Sequence, residues 1–177
     1  MRFCVASLPP LPWKNGKGTT RELALREDHG RVIWRLSLAE ITQDGAFSTF
    51  PGMARIHTIV AGQGLLLDSG ETTLVAKPHR PLHFDGGLPL TARLLEGACR
   101  AFNVIYDPKL VTASAQILTG DQVITSEGQH ALFVLRGILD LGPAGTFSSG
   151  EGLVSDHVVS GLMADDAQVL QIQFTPV

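Results

Sequence analysis

Cysteine is nearly absent from this 177-residue chain: Cys4 and Cys99 are the only two, and no CxxC spacing joins them. Neither a disulfide framework nor a zinc ribbon is indicated. Both thiols stand in apolar or small-residue surroundings without a nearby histidine, where an unpaired cysteine is expected to be a small buried hydrophobe. An excess of basic charge is lacking too, since 14 Lys and Arg face 17 Asp and Glu for a net charge of −3. That balance gives no global footprint for nucleic acid or an anionic membrane, so any anion site must be local. No apolar run approaches the length of a membrane span, and "MRFCVASLPPLPW" holds no sustained hydrophobic region of the signal-peptide kind. The expectation is a cytoplasmic protein with neither nucleic acid nor membrane as partner.

The common catalytic signatures are missing as well. There is no GxSxG elbow. The stretch "PWKNGKGTTRE", Pro12 to Glu22, suggests a phosphate loop, but Leu11 stands where a Walker glycine belongs and Gly18, not Ser or Thr, follows Lys17. "LPPLP" precedes it, and prolines are poor central-strand residues. Histidines are few and scattered: His29 beside Asp28 in a polar turn, His79 and His83 around "RPL" with Pro78 and Pro81 in what reads as a loop, and His57, His130 and His157 alone in strand-like segments. No catalytic residue, cofactor or metal is expected from these patterns.

What is present is β structure. Hydrophobic residues make up 44% of the chain, enough for a real core, and they fall in short runs such as "RVIWRLSLAEI", "AFNVIY", "HALFVLRGILDLG" and "QVLQIQF", separated by glycine turns. Many closely spaced strands imply a sandwich or barrel. Only "TTRELALRE" and "PKLVTASAQIL" could be helical, and the first reads as well as a strand with Leu23 and Leu25 on one face and Glu22 and Ala24 on the other. A faint repeat organises the rest: "HTIVAGQGLLLDSG" from His57 aligns with "HALFVLRGILDLGP" from His130, so that Gly64 and Gly137 fall at matching places. Two similar halves are expected, although generic hairpins could produce the same likeness.

Four blocks then become specific. "LPWKNGKGTTREL", "WRLSLAEI", "DGAFSTFPGMAR" and "FNVIY", spread over residues 11 to 106, resemble the HutD/Ves family blocks PWKNGGGTTRE, WR(I/L)S(I/L)AE, DGPFSxFPGxDR and DFNxM in order and spacing. The resemblance implies an all-β bicupin over residues 1–177, with two double-stranded β-helix barrels, the first half about 1–106 and the second about 107–177. In the HutD branch it implies a non-enzymatic regulator of histidine utilisation that senses or buffers a small carboxylate metabolite, N-formylglutamate being the proposed ligand. The alternatives are a stress-related protein of the Ves kind and a metal-dependent cupin enzyme, an isomerase or dioxygenase. A homodimer is possible by analogy with cupins. The chain departs from the family at Ala54 and Ala101, where acidic residues are usual, at Gly87, where Asp is common, and at Lys17, which replaces a glycine. Each of the first three removes an acceptor that could orient a basic group.

A cupin metal site needs two histidines one residue apart, a carboxylate and a further histidine, and this chain has no HxH. What remains is a set of cationic, hydroxyl and amide groups expected to bind ligand: Lys14 and Asn15, Arg35 and Ser37, Arg55 and His57, and Asn103. Period-two alternation puts Arg35, Ser37 and Ala39 on one face of "WRLSLAEI" and Trp34, Leu36, Leu38 and Glu40 on the other, while Arg55 and His57 share a face. Arg55 is the preferred anchor, because a planar guanidinium makes two-point contacts with a carboxylate. Plainer roles compete: Lys14 and Lys17 as solvated loop charges, Arg35 as a structural partner of Glu22 or Glu40, the asparagines and glycines as turn residues. Phe47, Phe50 and Phe102 are expected to close the barrel, and Pro51-Gly52 to turn the chain so that Arg55 aims inward.

Overall fold

The computed structural model describes residues 1–177 and is all-β, with 62% of residues in strands and 3% in helix. The chain divides into two compact units, Leu8–Val111 and Met1–Ser7 together with Thr112–Val177.

The unit Leu8–Val111 contains two antiparallel sheets. One has six strands in the order Leu11–Pro12, Gly18–Asp28, Arg31–Ile41, Cys99–Tyr106, Ala54–Ala61 and Leu82–Asp85; the other has four, Gly45–Ala46, Thr91–Leu94, Leu65–Asp68 and Thr73–Ala76. Alternation explains why these segments form sheets: each strand sends one set of side chains into the interior, so Ala39, Ile41, Ile59 and Ala101 of the larger sheet meet Leu65, Leu67, Ala76 and Ala92 of the smaller. The other unit repeats the scheme, with a five-stranded sheet (Arg2–Cys4, Glu151–Ser155, Gln129–Arg136, Gln168–Pro176, Val111–Thr119) and a four-stranded one (Gln122–Ser126, Val159–Met163, Ile138–Asp140, Thr146–Ser148). Its core is built from Leu132, Val134 and Val169 on one side and Ile124, Leu139, Phe147 and Met163 on the other.

The two segments with helical potential are both strands. "TTRELALRE" lies in Gly18–Asp28, and the register slips between Glu22 and Ala24, a bulge at Leu23. The extra residue breaks strict alternation there. Leu23 and Ala24 are consequently buried in succession and Leu25 is exposed, contrary to the expectation that Leu23 and Leu25 share a face. In "PKLVTASAQIL", Val111–Thr119 alternates exposed and less exposed residues in the manner of a half-covered strand.

The repeat motif has a structural counterpart in each unit, a histidine-bearing strand and a glycine in the left-handed region (Gly64, φ 96°; Gly137, φ 72°), but the strand that follows joins the unit's other sheet and does not pair back on the first as a hairpin. At Gly64 a β-carbon would run into the backbone oxygen of Ala76, so the side chain is excluded sterically as well as conformationally. Three expectations need correction. Cys99 is buried but Cys4 is only partly covered; His83 lies on the strand Leu82–Asp85 rather than in a loop; and His157 lies in the bend after Glu151–Ser155 rather than in a strand. No helix is long and apolar enough to cross a membrane.

Candidate functional site

Strand register builds the site. In the six-stranded sheet, Arg35 is opposite Ile105, which is opposite Arg55; one step along, Ser37 is opposite Asn103, which is opposite His57. Two residues of the same face on each of three adjacent strands thus form a patch of two rows and three columns. Its neighbours along the chain alternate away: Leu36, Val104 and Ile56 point to the opposite face and are buried there.

The centre of the patch is a single amide. Asn103, 2% exposed, accepts from Arg55 Nε at 3.2 Å and Nη2 at 2.7 Å through its Oδ1, while His57 Nδ1 stands 2.8 Å from the same oxygen. A guanidinium only donates, so the amide atom facing it is the oxygen, and His57 Nδ1 must carry the hydrogen. This fixes the neutral tautomer of His57 with a bare Nε2, which is buried and has no hydrogen-bond partner. Burial, and next the charge of Arg55, push the His57 pKa down to about 3, against the opposing effect of the Asn103 hydrogen bond. The Asn103 amide nitrogen is satisfied by the carbonyl of Ala101 at 3.3 Å.

Arg55 is 8% exposed and has no carboxylate partner. Its guanidinium carbon lies 4.9 Å, 5.4 Å and 5.8 Å from the ring centres of Phe47, Phe84 and Phe50, whose π faces offset part of the cost of burying the charge. Desolvation, and then repulsion from Arg35, bring its pKa down to about 10, so it remains a cation at neutral pH. Arg35 is matched differently, its Nε donating to Glu22 at 2.8 Å on a partly exposed surface. The plainer expectation for Arg35, a bond to Glu22, therefore coexists with a place at the site.

A cavity of about 210 Å³ opens over this patch, and Arg35, Ser37, Arg55 and Asn103 line it together with Trp13, Phe47 and Phe50. Neither Asp nor Glu is among its lining residues. Trp13 is held by a bond from its Nε1 to the Thr20 hydroxyl at 2.7 Å and by edge contact with Phe47. The structure thus brings Arg35, Ser37, Arg55, His57 and Asn103 together, and leaves Lys14 and Asn15 apart. Both of the latter are exposed on the turn after Trp13, where the Asn15 side chain accepts from the Lys17 backbone N–H at 3.0 Å. Lys17 reaches the carbonyl of Asp44 at 2.6 Å and so ties this turn to the residue before the strand Gly45–Ala46. Trp13 is one of the lining residues that sequence reasoning passed over, with Thr20 and Ser48 among the others; its signal was an indole inside an otherwise polar, glycine-rich block. A larger and more open hollow of about 460 Å³, lined by Met53, Ala54, His83, Asp85 and Tyr106 among others, also reaches Arg55.

The residues around Arg55 do not fit a cupin metal. One imidazole with its Nδ1 committed to Asn103, a guanidinium beside it and no carboxylate in the cavity offer too few anionic or neutral donors, and nowhere in the chain do three or more His, Cys, Asp or Glu side chains converge so that they could hold a metal ion.

The chain is similar to known proteins in sequence and in fold. A family model described as HutD matches residues 6–171. An uncharacterised 21.2 kDa protein in the hutC 3′ region of Pseudomonas putida is 36% identical over 143 residues, covering 77% of this chain and 74% of that one. Protein Ves of Escherichia fergusonii is 32% identical over 149 residues, covering 79% and 75%. Among solved structures, HutD from Pseudomonas fluorescens SBW25 superposes with a TM-score of 0.86 at 29% identity, over 100% of this chain and 98% of that one. The fold alone is shared with the Escherichia coli pirin YhhW, solved in complex with nickel(II), at a TM-score of 0.67, 13% identity and full coverage of both chains.

Proposed function

The chain belongs to the HutD family, and from that premise we propose that it is a small-molecule-binding protein whose unit Leu8–Val111 holds a small carboxylate metabolite on Arg55. One observation carries the reading: a nearly buried guanidinium lines a cavity that contains no carboxylate. An unpaired buried charge is expensive, and a bidentate carboxylate is the group that best compensates an arginine. Asn103 and the three phenylalanine rings hold the guanidinium in place, so little ordering is left for the moment of binding. Ser37 offers a hydroxyl to a neutral polar part of the ligand, and the Trp13, Phe47 and Phe50 walls suit its carbon skeleton. The cavity is small beside drug-sized pockets of about 300–1,000 Å³, which favours a metabolite.

The family match and a relative's place in the hutC 3′ region support a setting in histidine utilisation, and within it the proposal is a cytoplasmic sensor or buffer with N-formylglutamate as the candidate ligand. Absence of a fitting metal donor set leaves binding, rather than metal chemistry, as the activity this site supports best. The test is thermal unfolding with a panel of small carboxylates that includes N-formylglutamate. A ligand at one hundred times its Kd stabilises the native state by about 2.7 kcal/mol, a rise of about 5–10 °C for a protein of this size. Arg55→Gln is expected to lose that rise. A flat response of the native protein to the whole panel at millimolar concentration overturns the reading.

A further inference from the structure

Arg35 lines the cavity with Arg55 yet is already occupied by Glu22, a residue that does not line it. The register puts the two arginines on the same face with one strand between them, so their α-carbons stand about 10 Å apart. Repulsion from Arg35 lowers the pKa of Arg55, which places the two guanidiniums within electrostatic reach of one another. Their states differ: Arg55 is enclosed and has no anion, whereas Arg35 and Glu22 retain 27% and 43% side-chain exposure. An ion pair exposed to that degree is weak, worth at most about a fivefold change in an equilibrium, and its carboxylate can leave for water without penalty of burial.

We infer that Glu22 is a built-in stand-in for a second ligand carboxylate: a dicarboxylate seats one carboxylate on Arg55 and the other on Arg35, displacing Glu22 as it does so. The inference rests on the proposed carboxylate site at Arg55 and adds Arg35 as the seat of a second carboxylate and Glu22 as the residue that sets selectivity. A monocarboxylate uses Arg55 alone and leaves the Arg35–Glu22 pair closed. The position of Glu22 supports this arrangement. The bulge at Leu23 follows it directly, and Glu22 sits opposite Ser37 in the register while its side chain reaches across to Arg35, two residues before Ser37 on that strand. Glu22 is thus a movable partner at the edge of the patch, and Arg35 belongs to the patch itself. The two demands on Arg35 compete, so weakening one strengthens the other.

The experiment compares two probes of nearly identical shape, glutarate and its half-amide, by calorimetric titration of the native protein, Glu22→Gln and Arg35→Gln. Glu22→Gln removes one negative charge and so strengthens both anions; the quantity that matters is the ratio of the two affinities. That ratio is expected to rise about three- to fivefold in favour of glutarate in Glu22→Gln and to fall to near unity in Arg35→Gln. Thermal melts of the unliganded variants identify any that fail to fold, and Glu22→Asp, which shortens the carboxylate's reach but keeps the charge, provides a second variant expected to raise the ratio. An unchanged ratio in both Glu22 variants, with both probes still bound in an Arg55-dependent manner, overturns the displacement of Glu22 and leaves the Arg55 site standing. Failure of both probes to bind the native protein, together with a flat response to the wider carboxylate panel, overturns the Arg55 reading and this inference with it.

Discussion

Asn103 shows how much one side chain decides here. Its oxygen takes hydrogen bonds from Arg55 and His57 at once, and through them it fixes the direction of a guanidinium and the tautomer of an imidazole. Asn103→Leu strands those donors in a buried place, and a loss of about 3 kcal/mol is expected in denaturant unfolding. Asn103→Asp is more informative. Its carboxylate accepts the same hydrogen bonds while neutralising Arg55, so the fold should persist and the ligand-induced rise in melting temperature should vanish. A variant that folds and still responds to carboxylates would contradict the need for an uncompensated Arg55.

At the scale of the element, the device that matters is the crossing from one sheet to the other through a left-handed glycine. Gly64 turns the chain out of Ala54–Ala61, which carries Arg55 and His57, into Leu65–Asp68, which packs across the core. Two effects oppose any other residue there, φ of 96° and contact of a β-carbon with the Ala76 backbone. Gly70 shares the first effect alone, with φ of 88° and open space around it. Gly64→Ala is therefore expected to cost about 3 kcal/mol or more, and Gly70→Ala about 1 kcal/mol, in matched denaturant titrations. Equal costs would show that backbone conformation dominates and that the close approach to Ala76 relaxes freely. The glycines were legible in the sequence from their repeat spacing. The bulge at Leu23 was not, because a slip of register depends on which neighbour a strand finds and leaves no mark in its own alternation.

For the molecule as a whole, acid stability follows from the buried histidines. The folded pKa of His57 lies near 3, below its ordinary value near 6.5, and burial lowers that of His130 as well. Between those limits the unfolded chain binds more protons than the folded one, so this contribution is complete above about pH 6.5 and is lost as pH falls. The slope is about 1.4 kcal/mol per pH unit for each histidine that stays neutral in the fold. Asp107, held low mainly by the Lys109 backbone N–H and also by Arg31, and Glu151, held low mainly by Ser148 and also by Arg2, act in the same direction only below about pH 4. Unfolding free energies measured from pH 7 to 4.5 should therefore fall in the native protein and fall less steeply in His57→Gln. Parallel slopes would mean that His57 takes up its proton within the fold.

The sequence by itself determined the β class, the family and the face on which Arg35, Ser37, Arg55 and His57 lie, because alternation along a strand is a local property and the four blocks sit in a fixed order. It also left two roles open at several positions, and tertiary structure chose between them. Lys14 and Asn15 carry the right chemistry but fall on an exposed turn, whereas Trp13 beside them lines the cavity. Arg35 and Arg55 look alike in the sequence; one has Glu22 and the other has only an amide and three rings. That difference arises from which strands become neighbours, and charge pairing between strands is set by register across the sheet, a quantity that no single stretch of chain contains.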